Sequence, residues 1–260
     1  MSAKEMVRLH CQALRLPTMA MALEESILHA ERDNWPLDVF LSHLLEQEVE
    51  ARRLRRIDRL RKQSKLPPGK TFAVFDDSRL PLRIRRQLPY LQEGAFVNRA
   101  QNVLCFGLPG TGKTHLAAAM GHSLVENGRA VLFAPTFKLV GRLLRAKREY
   151  ELERELRRLD KFEVVILDDI GYVQQSREEM EVLFTFLSER YERRSLVITS
   201  NLVFSQWDKI FKDPLTTAAA IDRVVHHSII IEFGREIKSM RMEAAAKRSQ
   251  QPLPATQNVG

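Results

Sequence analysis

The residues with the clearest chemistry lie in Gly107-Leu-Pro-Gly-Thr-Gly-Lys-Thr114, a G-x-x-x-x-G-K-T run followed by His115. Gly107, Gly110 and Gly112 permit tight turns that aim successive N–H groups inward. With Pro109, Thr111 and His115 they frame a concavity where a phosphate chain sits at the N-terminus of the next helix. Lys113 supplies a mobile cation for β- and γ-phosphates, and Thr114 offers a hydroxyl to Mg²⁺. ATP and Mg²⁺ are therefore the expected ligands. Two acids, Asp168 and Asp169, end the apolar run Val164-Val-Ile-Leu. Behind a phosphate loop, Asp168 is expected to hold the Mg²⁺ shell and Asp169 to polarise an attacking water. Asp169 is one methylene shorter than Glu, which predicts slow turnover.

Asn201 closes Ser195-Leu-Val-Ile-Thr-Ser-Asn and is expected either to touch the γ-phosphate or its water or, as an ordinary strand-end Asn, to take up a turn. Arg223 stands near the end of a helical stretch, Thr216 to His226. From there it either completes the site of a neighbouring subunit or pairs with Asp222 at the surface. His226 and His227 read as helix-end residues rather than ligands.

These groups need a scaffold that gathers strand ends. Apolar runs at Val103 to Gly107, Val131 to Ala134, Val164 to Asp168, Leu196 to Thr199 and Ile229 to Phe233 alternate with helical stretches. That alternation predicts an α/β domain over 98–248 with a five-stranded parallel sheet covered on both faces. Residues 1–66 show helical periodicity alone, with Pro17 and Pro36 at helix boundaries, and predict a small all-helical domain that binds DNA or a partner. Leu66-Pro-Pro-Gly-Lys breaks the pattern, so 67–97 is expected to be a linker and irregular segment, and 249–260 a disordered tail.

The 260 residues, 44% of them hydrophobic, suffice for one good core and a small accessory domain. A net charge of +8 favours an anionic partner, nucleic acid first. Arg52, Arg56, Arg59 and Lys62 fall along one helix face, a row suited to the backbone of double-stranded DNA; a solvated helix end is the alternative. Thr136 to Lys161 exceeds what a crossover helix requires. Its Lys138, Arg142 and Arg145 form either a second DNA-contacting wall or the solvated side of an amphipathic helix. No secretory apolar region and no run approaching about eighteen apolar residues is present, which predicts a cytoplasmic protein without a membrane partner. Cys11 and Cys105, distant and without metal-ligand spacing, read as buried apolar residues.

Gly107 to Thr114, Asp168-Asp169, Thr199-Ser-Asn201 and Ile221-Asp-Arg223 together resemble the motif order of AAA+ ATPases of the DnaC and IstB branch. Leu14-Arg-Leu-Pro-Thr-Met, Phe40-Leu-Ser-His-Leu-Leu-Glu, Glu48-Val-Glu-Ala-Arg-Arg, Leu66-Pro-Pro-Gly-Lys-Thr and Phe96 to Gly107 extend the likeness to IstB-type transposition helper ATPases over nearly the whole chain. The resemblance implies an ATP-dependent homo-oligomer on DNA that stimulates the transposase of the same insertion sequence. It equates the Thr136 insertion with the extra helical element of initiators and loaders. Too little chain follows Phe233 for a full helical lid, and Arg241 is the candidate second sensor arginine. A DnaC-like helicase loader would share every nucleotide-site residue. A small-molecule P-loop kinase would need an acceptor pocket and lid for which no sequence is found, and would leave Asn201 and Arg223 idle.

Overall fold

The computed structural model describes residues 2–78, 80–171, 176–202, 206–207 and 214–234, the side chains of 214–217 excepted. Arg241 and the 249–260 tail lie outside the described residues. The chain divides into two compact units, Met1–Arg59 and Leu60–Gly260.

The first unit is helical. Helix α1 (Ala3–Ala13) opens with a capping box in which Ser2 and Glu5 exchange hydrogen bonds of 3.2 and 2.7 Å. Helix α2 (Pro17–Arg32) starts on a proline, whose missing N–H costs nothing at that position. Its next two N–H groups, on Thr18 and Met19, lack a local cap and donate instead to the Glu48 carboxylate at 2.7 and 3.1 Å. Glu48 belongs to helix α3 (Leu37–Ser64), which passes from this unit into the next. A buried anion thus caps a helix N-terminus from a distance, where the dipole favours it. Burial pushes the Glu48 carboxyl up, but the Arg52 guanidinium and the two N–H groups outweigh this and hold it below the ordinary carboxylate value. Cys11, Leu23, Leu44 and Ile57 form the unit's apolar interior.

In the second unit, a segment with two short helices, α4 (Leu82–Arg85) and α5 (Leu88–Glu93), precedes the expected alternation. Strand β1 (Asn102–Gly107) is followed by α6 (Lys113–Glu126), β2 (Val131–Pro135), α7 (Thr136–Arg148), α8 (Leu152–Asp160) and β3 (Val164–Asp168). Helix α9 (Arg177–Arg190), β4 (Ser195–Ser200), α10 (Pro214–Val225) and β5 (Ser228–Phe233) complete it. All five strands match the apolar runs to within a residue at each end. They pair in parallel in the order β2-β3-β4-β1-β5.

The pleat divides each strand between two faces. Leu104, Phe106, Val165, Leu167, Leu196 and Ile198 join the core built with α7, α8, α9 and α10. Ile166 points the other way, toward α6, so closely that a Cβ on Gly121 would lie 2.8 Å from it. Both faces are covered, which is why the strands carry continuous apolar runs. Cys105 is fully buried on β1, and burial pushes its thiol up to about 12, leaving it inert.

The 136–161 stretch is not one long helix. It breaks at Tyr150, which is left-handed at φ 57° and 98% exposed, so α8 folds back beside α7. Arg142 is ion-paired with Glu155 across this elbow.

Candidate nucleotide site

The site forms where β1 hands over to α6, at the C-terminal end of the central strands, the expected location in an open parallel sheet. Gly107 lies against β5, and a Cβ there would fall 2.8 Å from the Phe233 carbonyl oxygen and 2.7 Å from its Cβ. Gly112, at φ 105°, turns the chain into α6 in a conformation that L side chains rarely adopt. The first turn of α6 then presents its unbonded N–H groups to the cavity.

Lys113, 6% exposed, donates to the carbonyls of Gly107 and Leu108 at 2.7 and 2.8 Å. Its ammonium is held inside the loop by the backbone it would release to meet phosphate. The next residue reaches the neighbouring strands: Thr114 Oγ1 donates to Asp168 Oδ1 at 2.8 Å. Thr199 Oγ1 donates to the same oxygen at 2.7 Å and accepts the Asp169 N–H at 2.8 Å. Thr136 Oγ1 donates to the Asp168 carbonyl at 3.0 Å. Hydroxyls from α6, β4 and α7 thereby fix the Asp168–Asp169 corner, in which Asp169 is left-handed at φ 64°. A non-glycine residue in that region at a strand end marks a place where aiming a side chain outweighs local strain.

A cavity of about 260 Å³ is lined by Lys70, Pro109, Gly110, Gly112, Lys113 and Thr114, continuing through His115, Asp169, Thr199 and Asn201. Most of the site residues expected from sequence therefore meet here. Thr111 sits within the loop, buried, its hydroxyl on the Leu108 carbonyl at 2.9 Å. Thr199, Thr136 and Lys70 were not assigned from sequence. Thr199 is detectable only through register, since β3 and β4 pair Leu167 with Ile198 and so set Thr199 beside Asp168. Lys70 stands in the Leu66-Pro-Pro-Gly-Lys-Thr run, whose place in the fold no local pattern discloses.

Arg223 does not line this cavity. It lies over the Phe184 ring at 4.9 Å and donates to the Ala219 carbonyl at 3.1 Å. His226 and His227 stand with Glu192 close enough to share a cation, but before β5 and β4, at the opposite end of the sheet.

The basic residues differ in their engagements. Arg52 bonds Glu48 at 2.9 Å and also the Arg15 carbonyl, so it completes the first unit's internal network as well as standing on the basic row. Arg56, Arg59 and Lys62 are exposed along α3. Arg142 and Arg145 line a groove at the α7–α8 elbow with Arg154, Arg157, Arg158 and Lys161, interrupted by Glu149, Glu151 and Glu155. Lys138 lies over Phe137, which is 56% exposed. Among the described residues no helix is long and apolar enough to cross a membrane.

Residues 9–248 match the family described as IstB-like ATP binding protein. A Sinorhizobium fredii protein, named as an insertion sequence ATP-binding protein, is 44% identical over 90% of this chain and 79% of its own length. One from Pseudomonas aeruginosa, named for an ATP-binding protein of insertion sequence IS21, is 36% identical over 92% of both chains. Among solved structures, DnaI superposes with a TM-score of 0.54 at 20% identity, covering 65% of this chain and 95% of its own, a likeness of fold. The chain belongs to the IstB-like ATP binding protein family.

Proposed function

We propose that this member of the IstB-like family is an ATP-dependent, DNA-binding AAA+ regulator that oligomerises on target DNA and stimulates the transposase of the same insertion sequence. The observation that carries the reading is the Thr114–Asp168–Thr199 cluster beneath the glycine loop of this chain, taken with the insertion-sequence names of its relatives. Those names favour transposition over helicase loading.

The donor set suits a hard divalent cation: a hydroxyl and a carboxylate oxygen already in contact, with a phosphate cradle beside them. Thr114 and Asp168 would hold Mg²⁺, which when bound neutralises charge on the β- and γ-phosphates. Lys113 exchanges its two loop carbonyls for phosphate oxygens. Backbone N–H groups from Gly110 to His115 bind the chain. Asp169, aimed by its left-handed backbone and anchored by Thr199, orients and polarises the attacking water, and Asn201 contacts the γ-phosphate or that water. Arg223, on the outer helix α10, acts on the site of an adjacent subunit. Arg56, Arg59, Lys62 and the α7–α8 cations, Lys138, Arg142 and Arg145 among them, take DNA phosphates, with Arg52 contributing from within its ion pair.

The test is duplex binding measured against salt, with and without ATP, for the wild type, Lys113→Ala and an Arg56, Arg59, Lys62 triple alanine variant. ATP should tighten binding for the wild type and for the triple variant but not for Lys113→Ala. The triple variant should lose roughly 0.9 per phosphate contact from the slope of log affinity against log salt, on any duplex. Unchanged slopes would refute the DNA assignment on α3. A chain that hydrolyses ATP equally well as Asp169→Ala would remove that residue from the mechanism.

A further inference from the structure

Of the residues lining the cavity, Lys70 arrives from outside the sheet and its loops. The segment that carries it leaves α3 after Ser64 and runs back along α6. Leu66 packs at Gly121, where a Cβ would lie 2.5 Å from its Cδ2. The Pro67 carbonyl pairs with His122 Nε2 at 3.0 Å, and the Thr71 carbonyl with His115 Nε2 at 3.2 Å. Phe75 sets its ring edge-on to His115 with centroids 5.2 Å apart, and its Cε2 lies 3.7 Å from where a Gly112 Cβ would be. These anchors deliver Lys70 to the N-terminal turn of α6.

That is an unfavourable place for a cation. The helix N-terminus carries partial positive charge, and Lys113 already puts an ammonium there. Positive groups converge on one cavity whose lining holds a single carboxylate, that of Asp169. A polyanion relieves this repulsion, and nucleotide phosphates are the ligand already assigned to the cavity. Lys70 enters beside His115, whereas Asp169, Thr199 and Asn201 line the end assigned to hydrolysis. Its natural partners are the α- and β-phosphates, which ADP and ATP share.

We propose that Lys70 is a second nucleotide-binding cation, holding the phosphate chain together with Lys113. The proposal rests on reading this cavity as the ATP site. It is tested by calorimetric titration of the full chain with ADP and with ATP, each with Mg²⁺. Lys70→Ala should weaken both by a similar factor, on the order of tenfold for a lost charged hydrogen bond, and Lys70→Arg should recover most of it. Arg83→Ala removes the same charge from an exposed position on α4 and should leave both affinities unchanged. If alanine destabilises the segment, Lys70→Gln keeps the aliphatic stem and should show the same loss. Wild-type affinity in Lys70→Ala, with binding abolished in Lys113→Ala, would overturn the role of Lys70 and leave the site intact. Equal losses in Lys70→Ala and Arg83→Ala would also overturn it, as a bulk charge effect. Failure of the wild type to bind either nucleotide would overturn the site itself.

Discussion

Glu48 in the first unit and Arg190 in the second are both only 2% exposed, and the two units satisfy their buried charges in different ways. Glu48 accepts two backbone N–H groups and faces Arg52 and Arg55, whose side chains are about half exposed. Arg190 ends α9, and its hydrogen bonds go to the carbonyls of Leu159, Phe162, Glu163 and Ser195, at 3.0 to 3.2 Å. It gathers the end of α8 and the starts of β3 and β4. Burial pushes its guanidinium down to about 9, opposed by Asp160, so it stays charged at neutral pH. Half of the Glu48 network is side chain that touches water; that of Arg190 is backbone carbonyl. A small helical unit with a thin core thus keeps its charge adjustable, while a sheet with a dry interior uses one as a fixed joint.

The rest of the two units follows the same contrast. Most large apolar side chains that the described residues leave exposed, Leu14, Met21, Leu28, Leu37 and Val49 among them, belong to the first unit. The central strands of the second, β1, β3 and β4, are almost wholly buried.

The largest effect should come from Arg190→Ala, which strands several carbonyls at once and should destabilise the second unit by roughly 3–5 kcal/mol. Arg190→Lys should recover little, since one ammonium cannot span that fork. Urea unfolding monitored on the second unit checks this, and a cost below about 1 kcal/mol would erase the contrast. Glu48→Ala should cost less, on the order of 2 kcal/mol, because Arg52 and Arg55 can turn to solvent while only the α2 cap is lost. That loss should appear in unfolding of the first unit with ATP affinity untouched.

Acid separates the units further. The Glu48 carboxyl is depressed in the folded state, so its contribution is complete above its ordinary value of 4.5 and is lost as pH falls through the folded value. The first unit should therefore weaken with acid across that window, and Glu48→Gln should flatten this dependence; an equally steep profile in the variant would assign it elsewhere. The smallest effect concerns the elbow. Tyr150 is left-handed and 98% exposed, so Tyr150→Gly should stabilise the second unit by up to about 1 kcal/mol in thermal melts.

Much of the candidate nucleotide site is legible in the sequence alone. Gly107, Gly112, Lys113 and Thr114 form backbone turns and a helix start a few residues long, and such geometry is written locally. Asp168, Asp169 and Asn201 follow apolar runs whose ends define strand ends. The helix boundaries at Pro17 and Pro36 were equally local, since proline fixes φ and lacks a donor. Arg52 was harder. Its spacing placed it on a basic row, but nothing nearby in sequence revealed that it would also be drawn to Glu48 once α2 leaned its N–H groups on that carboxylate.

The amino-acid sequence alone determined the phosphate loop, the five strands and the helical N-terminal region, because periodicity and turn chemistry depend on neighbours along the chain. Only the tertiary structure decided that Thr199 would share an oxygen of Asp168 with Thr114, that Arg190 would be a joint, and that Lys70 would line the same cavity as Lys113. Each of these depends on which strands pair, in which register, and on which helix a distant segment lies. Such choices are made by the burial of whole faces rather than by any residue's own neighbours.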